Sequence, residues 1–175
     1  MHKKVLSVFY FAVTIAILIA VLTVTNWLPT MLQEGMMKKY RSIEEVKSKL
    51  KVRDIYVPSY FPQSVKWPPS RILAQSRPHF ALLMEFSLGE TSDVSLVISQ
   101  VAGNGPIPEE KLSLVQVKEK ANYSLKGRTA LLEVGACKND LPCSRISWNE
   151  GEYRLTLVMK APPFDLIKIA DSMIH

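Results

Sequence analysis

Histidine, cysteine and glycine are scarce in this 175-residue chain, and each shortage closes off a class of function. The three histidines, His2, His79 and His175, are scattered and unpaired. With only two cysteines besides, the four-ligand set that zinc wants is not at hand, so no metal site is expected. The seven glycines include Gly103 and Gly105, but no strand, Gly-rich turn and following Lys-Ser/Thr surround them, so they form no phosphate cradle. No Gly-x-Ser-x-Gly occurs, and a nucleophile beside a base is not to be found. Glu44-Glu45 and Glu109-Glu110 are adjacent in sequence, so their carboxylates diverge and make no acid–base couple. The expectation is a protein that is not an enzyme, with no catalytic residue and no cofactor.

Long charge runs are missing too. The formal net charge is +6, and leaving out Lys3 and Lys4 gives 20 basic against 16 acidic residues from position 28 onward, net +4. Nothing in that distribution is the concentrated basic stripe that nucleic acid requires, so no nucleic-acid partner is expected. No internal repeat or low-complexity tract is present.

What the chain does have is a hydrophobic run. Residues 5–25, from Val5 on, carry no charge across 21 positions, and Trp27 follows where an indole suits a membrane–water interface. About 20 apolar residues span the roughly 30 Å of a bilayer's hydrocarbon. A cleavable signal peptide has a core of about 7–15 residues and a small-x-small cleavage site, whereas Thr-Asn-Trp-Leu-Pro follows here. Residues 1–27 are therefore expected to be a single-pass transmembrane anchor in contact with membrane lipid, residues 28–41 a juxtamembrane stalk, and residues 42–175 one soluble domain. Lys3 and Lys4 favour a cytoplasmic N-terminus and an extracytoplasmic, periplasmic domain. Cys137 and Cys143, separated by five residues that include Asp140 and Pro142, read as a small disulfide loop, which persists in an oxidising compartment.

The domain opens with Ser42-Ile43-Glu44-Glu45, a capping box in which Ser42 and Glu45 should each meet the other's backbone amide. Ile43, Val46 and Leu50 then predict a short amphipathic helix over 43–51. Prolines 58, 62, 68, 69 and 78 forbid a helix over 54–78 and favour an extended ribbon. Tyr56, Tyr60, Phe61 and Trp67 interleave with them, as contacts for a protein partner or as rings closing a core. Alternation over 80–86 and 94–98 predicts a hairpin. So does Ile146-Ser147-Trp148 with Tyr153–Met159 around Asn149-Glu150-Gly151-Glu152. Pro162-Pro163 should start a last helix whose stripe of Phe164, Ile167, Ala170 and Ile174 packs on the sheet. The fold class expected is α+β, with five to six antiparallel strands, a short N-terminal helix and a C-terminal packing helix.

Several of these elements occur together elsewhere. The Ser42–Glu45 helix start, Val57-Pro58-Ser59-Tyr60-Phe61-Pro62, the strand–turn–strand of 146–155 and the closing 166–173 resemble a bacterial extracytoplasmic domain-of-unknown-function family. That family is similar in layout to the C-terminal domain of the periplasmic sigma-factor regulator MucB/RseB. The resemblance implies a curved antiparallel sheet packed by helices and a role in sensing or protein–protein contact. The larger N-terminal lipid-binding domain of that regulator has no counterpart here. Two functions are expected. The first is a non-catalytic interaction protein, regulator or accessory subunit with a partner in or at the membrane. The alternative is a small-ligand or lipid-binding module using the sheet face.

Overall fold

The computed structural model describes residues 13–17, 37–89, 93–106, 108 and 111–174. Residues 13–17 are helical. The rest of the expected anchor, Val5 and Trp27 included, lies outside the described residues, and no helix among the described residues is long and apolar enough to cross a membrane. The second compact unit runs from Met37 to the C-terminus.

That unit is an antiparallel sheet of eight strands, where the sequence predicts five or six. In chain order these are β1 (Lys38–Tyr40), β2 (Arg71–Gln75), β3 (Ala81–Ser87), β4 (Val94–Ala102), β5 (Gln116–Leu125), β6 (Arg128–Ala136), β7 (Pro142–Glu150) and β8 (Tyr153–Met159). Their spatial order is β1-β2-β3-β4-β8-β7-β6-β5. The two strands absent from the sequence reading are β1 and β2. β1 takes its three residues from the stretch read as stalk and is too short to alternate. β2 is hemmed by Pro68, Pro69 and Pro78, which hide its five residues inside the ribbon.

One face of the sheet carries Leu82, Met84 and Phe86 of β3, Leu96 and Ile98 of β4, Ile146 and Trp148 of β7, and Leu155 and Leu157 of β8, all buried in the main core. Two helices cover part of it. α1 (Ile43–Leu50) starts at Ser42, whose hydroxyl accepts from the Glu45 N–H at 3.2 Å, and ends at Lys51 in a left-handed conformation. Glu45 does not close the reciprocal half of the box. Its carboxylate accepts from the Arg41 N–H and from Lys49 Nζ, each at 2.7 Å. Ile43 and Val46 point into the core. α2 (Pro163–Ser172) has proline in its first turn and buries Leu166, Ile169 and Ala170, with Met173 and Ile174 beyond. Of the expected stripe, Ala170 and Ile174 are buried and Ile167 packs partly covered against the core, but Phe164 is 69% exposed, with Lys168 Nζ 4.2 Å from its ring centre. Leu166, Ile169, Ala170 and Met173 also satisfy the i, i+3, i+4, i+7 spacing and offer the sheet more apolar surface.

The opposite face has its own small core of Leu83, Val97, Val158, Leu112 and the joined Cys137 and Cys143, whose Cα atoms are 5.5 Å apart. Leu112 belongs to the connection from central β4 to edge β5, and is 3% exposed. That connection crosses this face, and Leu112 pins it beside the disulfide. Outside this core the face is charged. The register sets Arg71, Glu85, Val97, Val158, Arg145, Glu133 and Lys120 in one row across seven strands. Each buried carboxylate sits between an arginine and a lysine. Glu85 lies 3.4 Å from Arg71 and 3.5 Å from Lys111, and Glu133 lies 2.6 Å from Arg145 and 3.3 Å from Lys120. A carboxylate taken out of water is tolerated only with such partners.

Candidate functional site

The ribbon between α1 and β2 is held on the main core by its own apolar residues and by one side chain of the sheet. Ile55 and Val65 are buried. Between them Gln100, fully buried on the same face of β4 as Leu96 and Ile98, reaches up to the ribbon. Its Oε1 accepts from the Tyr56 N–H at 3.1 Å and its Nε2 donates to the Asp54 carbonyl at 2.7 Å. The prolines leave the ribbon few internal hydrogen bonds, and a side-chain amide replaces the missing strand partner. Further along, the Ser59 hydroxyl donates to the Ser172 carbonyl, and the Tyr60 N–H donates to the Ser172 hydroxyl, tying the ribbon to α2.

The four rings singled out in the sequence separate in the structure. Tyr56 is partly buried and packs edge-on against Tyr153, with ring centres 6.3 Å apart. Burial pushes the Tyr56 phenol above its usual pKa, with Glu150 and Asp54 adding to the effect. Phe61 is partly buried, 5.2 Å from the fully buried Phe86. These two close the core. Tyr60 and Trp67 face outward, at 39% and 50% exposure. Trp67 is half-exposed but not loose: its indole lies 5.4 Å from Phe61 and 6.2 Å from Phe86, and Pro68 and Pro69 follow it. The Trp67–Pro68 peptide is cis. The Val65–Leu88 bridge and the Lys66 N–H donating to the Ser87 carbonyl at 3.2 Å fix the backbone ahead of it. Leu88 is itself 46% exposed.

A second feature lies where the ribbon enters β2. A cleft of about 430 Å³ is lined by Lys39, Tyr40, Arg41, Pro69, Ser70, Arg71 and Ile72. Tyr40 and Ile72 line it too, but their side chains are buried in the main core. Ser70 is fixed by two bonds to the Glu85 carbonyl, from its N–H at 2.8 Å and its hydroxyl at 3.0 Å. The sequence reading missed both this cleft and Gln100. Gln100 could have been found by parity, because a polar residue two positions beyond Leu96 and Ile98 stands on the buried face and needs a partner. The cleft could not, since it depends on β1 pairing with β2.

Several other titratable groups are held in structural contacts. Arg128 makes a two-point contact with Glu150, at 2.9 and 2.7 Å, and that hydrogen bonding raises the guanidinium's pKa. Burial, followed by the hydrogen bond and charge of Glu152, pushes Tyr153 up to about 12. At α1, the Glu44 carboxyl is held below its usual value by its own backbone amide and the Ser42 hydroxyl, and the Glu45 carboxyl by Lys49 and the Arg41 amide. His79 lies against Gly105, where a β-carbon would come within 2.4 Å of the ring. Among the described residues no group of three or more His, Cys, Asp or Glu is arranged to hold a metal. Comparison with known proteins gives no match to this chain, whether family models, curated proteins or solved structures are searched.

Proposed function

We propose that this chain is a membrane-anchored, extracytoplasmic, non-catalytic interaction protein, a regulator or accessory subunit that offers Trp67 and Tyr60 to a protein partner. The observation that carries this reading is Trp67: a large ring left half in water, yet braced by Phe61 and Phe86 and followed by two prolines. An aromatic held rigid at the surface loses little entropy on binding, and such rings dominate the energetics of protein contacts. The uncharged run of residues 5–25 supports the anchor, and Lys3 and Lys4 support its orientation. The Cys137–Cys143 disulfide supports an oxidising compartment. The resemblance in layout to the extracytoplasmic family named above is in keeping with this role. The alternative of a small ligand or lipid lodged on the sheet has less support, because the helix-covered face is filled by Leu82, Met84, Phe86 and their neighbours.

The test is site-specific photo-crosslinking of the full-length protein in cells, with the crosslinking residue at position 67. One discrete protein adduct is expected there and none from position 118 on β5. Equal labelling from both positions, or none from either, overturns the reading.

A further inference from the structure

The cleft between β1 and the start of β2 gathers three cationic side chains from three separate pieces of chain: Lys39 from β1, Arg41 from the turn into α1, and Arg71 from β2. No acidic residue lines it. We propose that it is a binding site for a phosphate-bearing anion, with the headgroup of an anionic phospholipid as the favoured source. This goes beyond the partner contact at Trp67 and does not depend on it.

Three observations carry the inference. Arg71 is anchored before any ligand arrives. Its Nη1 rests 3.4 Å from Glu85, which is nearly fully buried, and the arginine side chain stays 37% exposed. A guanidinium fixed at one nitrogen keeps other donors for a second, planar set of oxygens, the geometry that suits phosphate. Lys39 and the Arg41 guanidinium are both exposed and make no hydrogen bond or ion pair with the described residues. The carboxylates nearest in effect are already engaged, Glu85 between Arg71 and Lys111, and Glu45 by the Arg41 N–H and Lys49. Arg71 is offset in part by Glu85 and Arg41 by the charge of Glu45, while Lys39 has no ion pair among the described residues; the cleft keeps a net positive charge that an incoming anion relieves. Finally, the volume of about 430 Å³ falls within the range of roughly 300–1,000 Å³ usual for small-molecule sites. It exceeds a bare phosphate and has room for a glycerol or similar head. Connectivity adds to this, since β1 begins only 12 residues after the end of the hydrophobic run. Basic groups close to a membrane are drawn to its anionic lipids.

The experiment is calorimetric titration of the full-length protein, in micelles of an uncharged detergent, with short-chain phosphatidylglycerol, short-chain phosphatidylcholine and inorganic phosphate. Saturable binding of phosphatidylglycerol, stronger than that of phosphatidylcholine, is expected. The double variant Lys39→Gln/Arg41→Gln should weaken it by about tenfold or more, the loss expected for two charge-assisted contacts. Arg71→Lys, which keeps the charge and removes the fork, should weaken it less. Lys47→Gln/Lys118→Gln removes the same charge elsewhere and should leave it unchanged. Inorganic phosphate binding as tightly as phosphatidylglycerol would support the anion site and assign it to a free phosphate. No saturable binding of either, or equal losses in the cleft and control variants, overturns the proposal.

Discussion

Gln100 holds Tyr56 from below: its Oε1 takes the Tyr56 N–H at 3.1 Å while its Nε2 gives to the neighbouring Asp54 carbonyl at 2.7 Å. Both partners belong to a ribbon whose prolines deny it a ladder of its own, so one buried amide stands in for a strand. Gln100→Leu keeps the volume and strands the two backbone groups. Leaving buried polar groups unpaired costs about 1–3 kcal/mol each. The variant is expected to lose about 2 kcal/mol of unfolding free energy, read from denaturant midpoints. Amide exchange should rise first at Tyr56 and its neighbours in the ribbon. Exchange that rises uniformly over the sheet would show that Gln100 is not specific to the ribbon.

Leu112 and the disulfide protect the same small core. Leu112→Ala should cost about 3 kcal/mol, in the range for buried leucines. Cys137→Ser/Cys143→Ser should cost about 2 kcal/mol from loop closure alone, since the ring is short. Both changes empty the cluster with Leu83, Val97 and Val158. The combined variant should therefore fall short of the sum, as changes at residues in contact do. A strictly additive cycle in denaturant titrations would mean that Leu112 and the sulfurs do not share a core.

These two cases also show what was legible beforehand. The α1 start was visible because Ser42 and Glu45 act within one turn, and the β7–β8 hairpin because its turn residues lie between alternating apolar positions. The cysteine pairing was visible because six positions of separation leave little choice of partner. The strand count was not, because β1 is three residues long and pairs with β2 across more than 30 positions, while β2, though it pairs with nearby β3, is hidden among prolines. The crossing of the second face by Leu112 was hidden for the same reason. Among the four ring candidates, sequence showed the residue types but not their faces. The split of Tyr56 and Phe61 from Tyr60 and Trp67 follows from how the ribbon lies on Phe86 and Tyr153, which no local pattern encodes.

Tyr153 gives the fold an alkaline limit. Its phenol titrates at about 12 in the folded protein, against about 10 in an unfolded chain. Above pH about 10 the unfolded chain gives up this proton while the folded one keeps it. The folded state then binds more protons, and stability falls as pH rises across that window; below it the contribution is fully present. Tyr56, raised in the same direction, adds to the slope. Tyr153→Phe should make unfolding free energy flatter between pH about 10 and 12. The late step of the ultraviolet tyrosinate titration should vanish with it. An unchanged slope would place the alkaline sensitivity elsewhere.

Phe61 and Trp67 touch at 5.4 Å, yet they should answer differently to removal. Phe61 packs between Trp67 and the buried Phe86, so Phe61→Ala opens the edge of the main core. A loss of about 2 kcal/mol is expected, below the cost at a fully buried phenylalanine because the ring is only partly covered. Trp67→Ala removes a ring that is half in water, and forfeits chiefly its aromatic contacts, about 1 kcal/mol. If Trp67 is there for a partner, the ranking reverses in binding. With the crosslinker placed at position 60, Trp67→Ala should abolish the adduct while the protein stays folded. A more conservative Phe61→Leu should keep the adduct. Should Trp67→Ala instead destabilise the fold as much as Phe61→Ala while leaving the adduct intact, the indole is a core residue whose exposed edge is incidental, and the contact surface must be sought away from the ribbon.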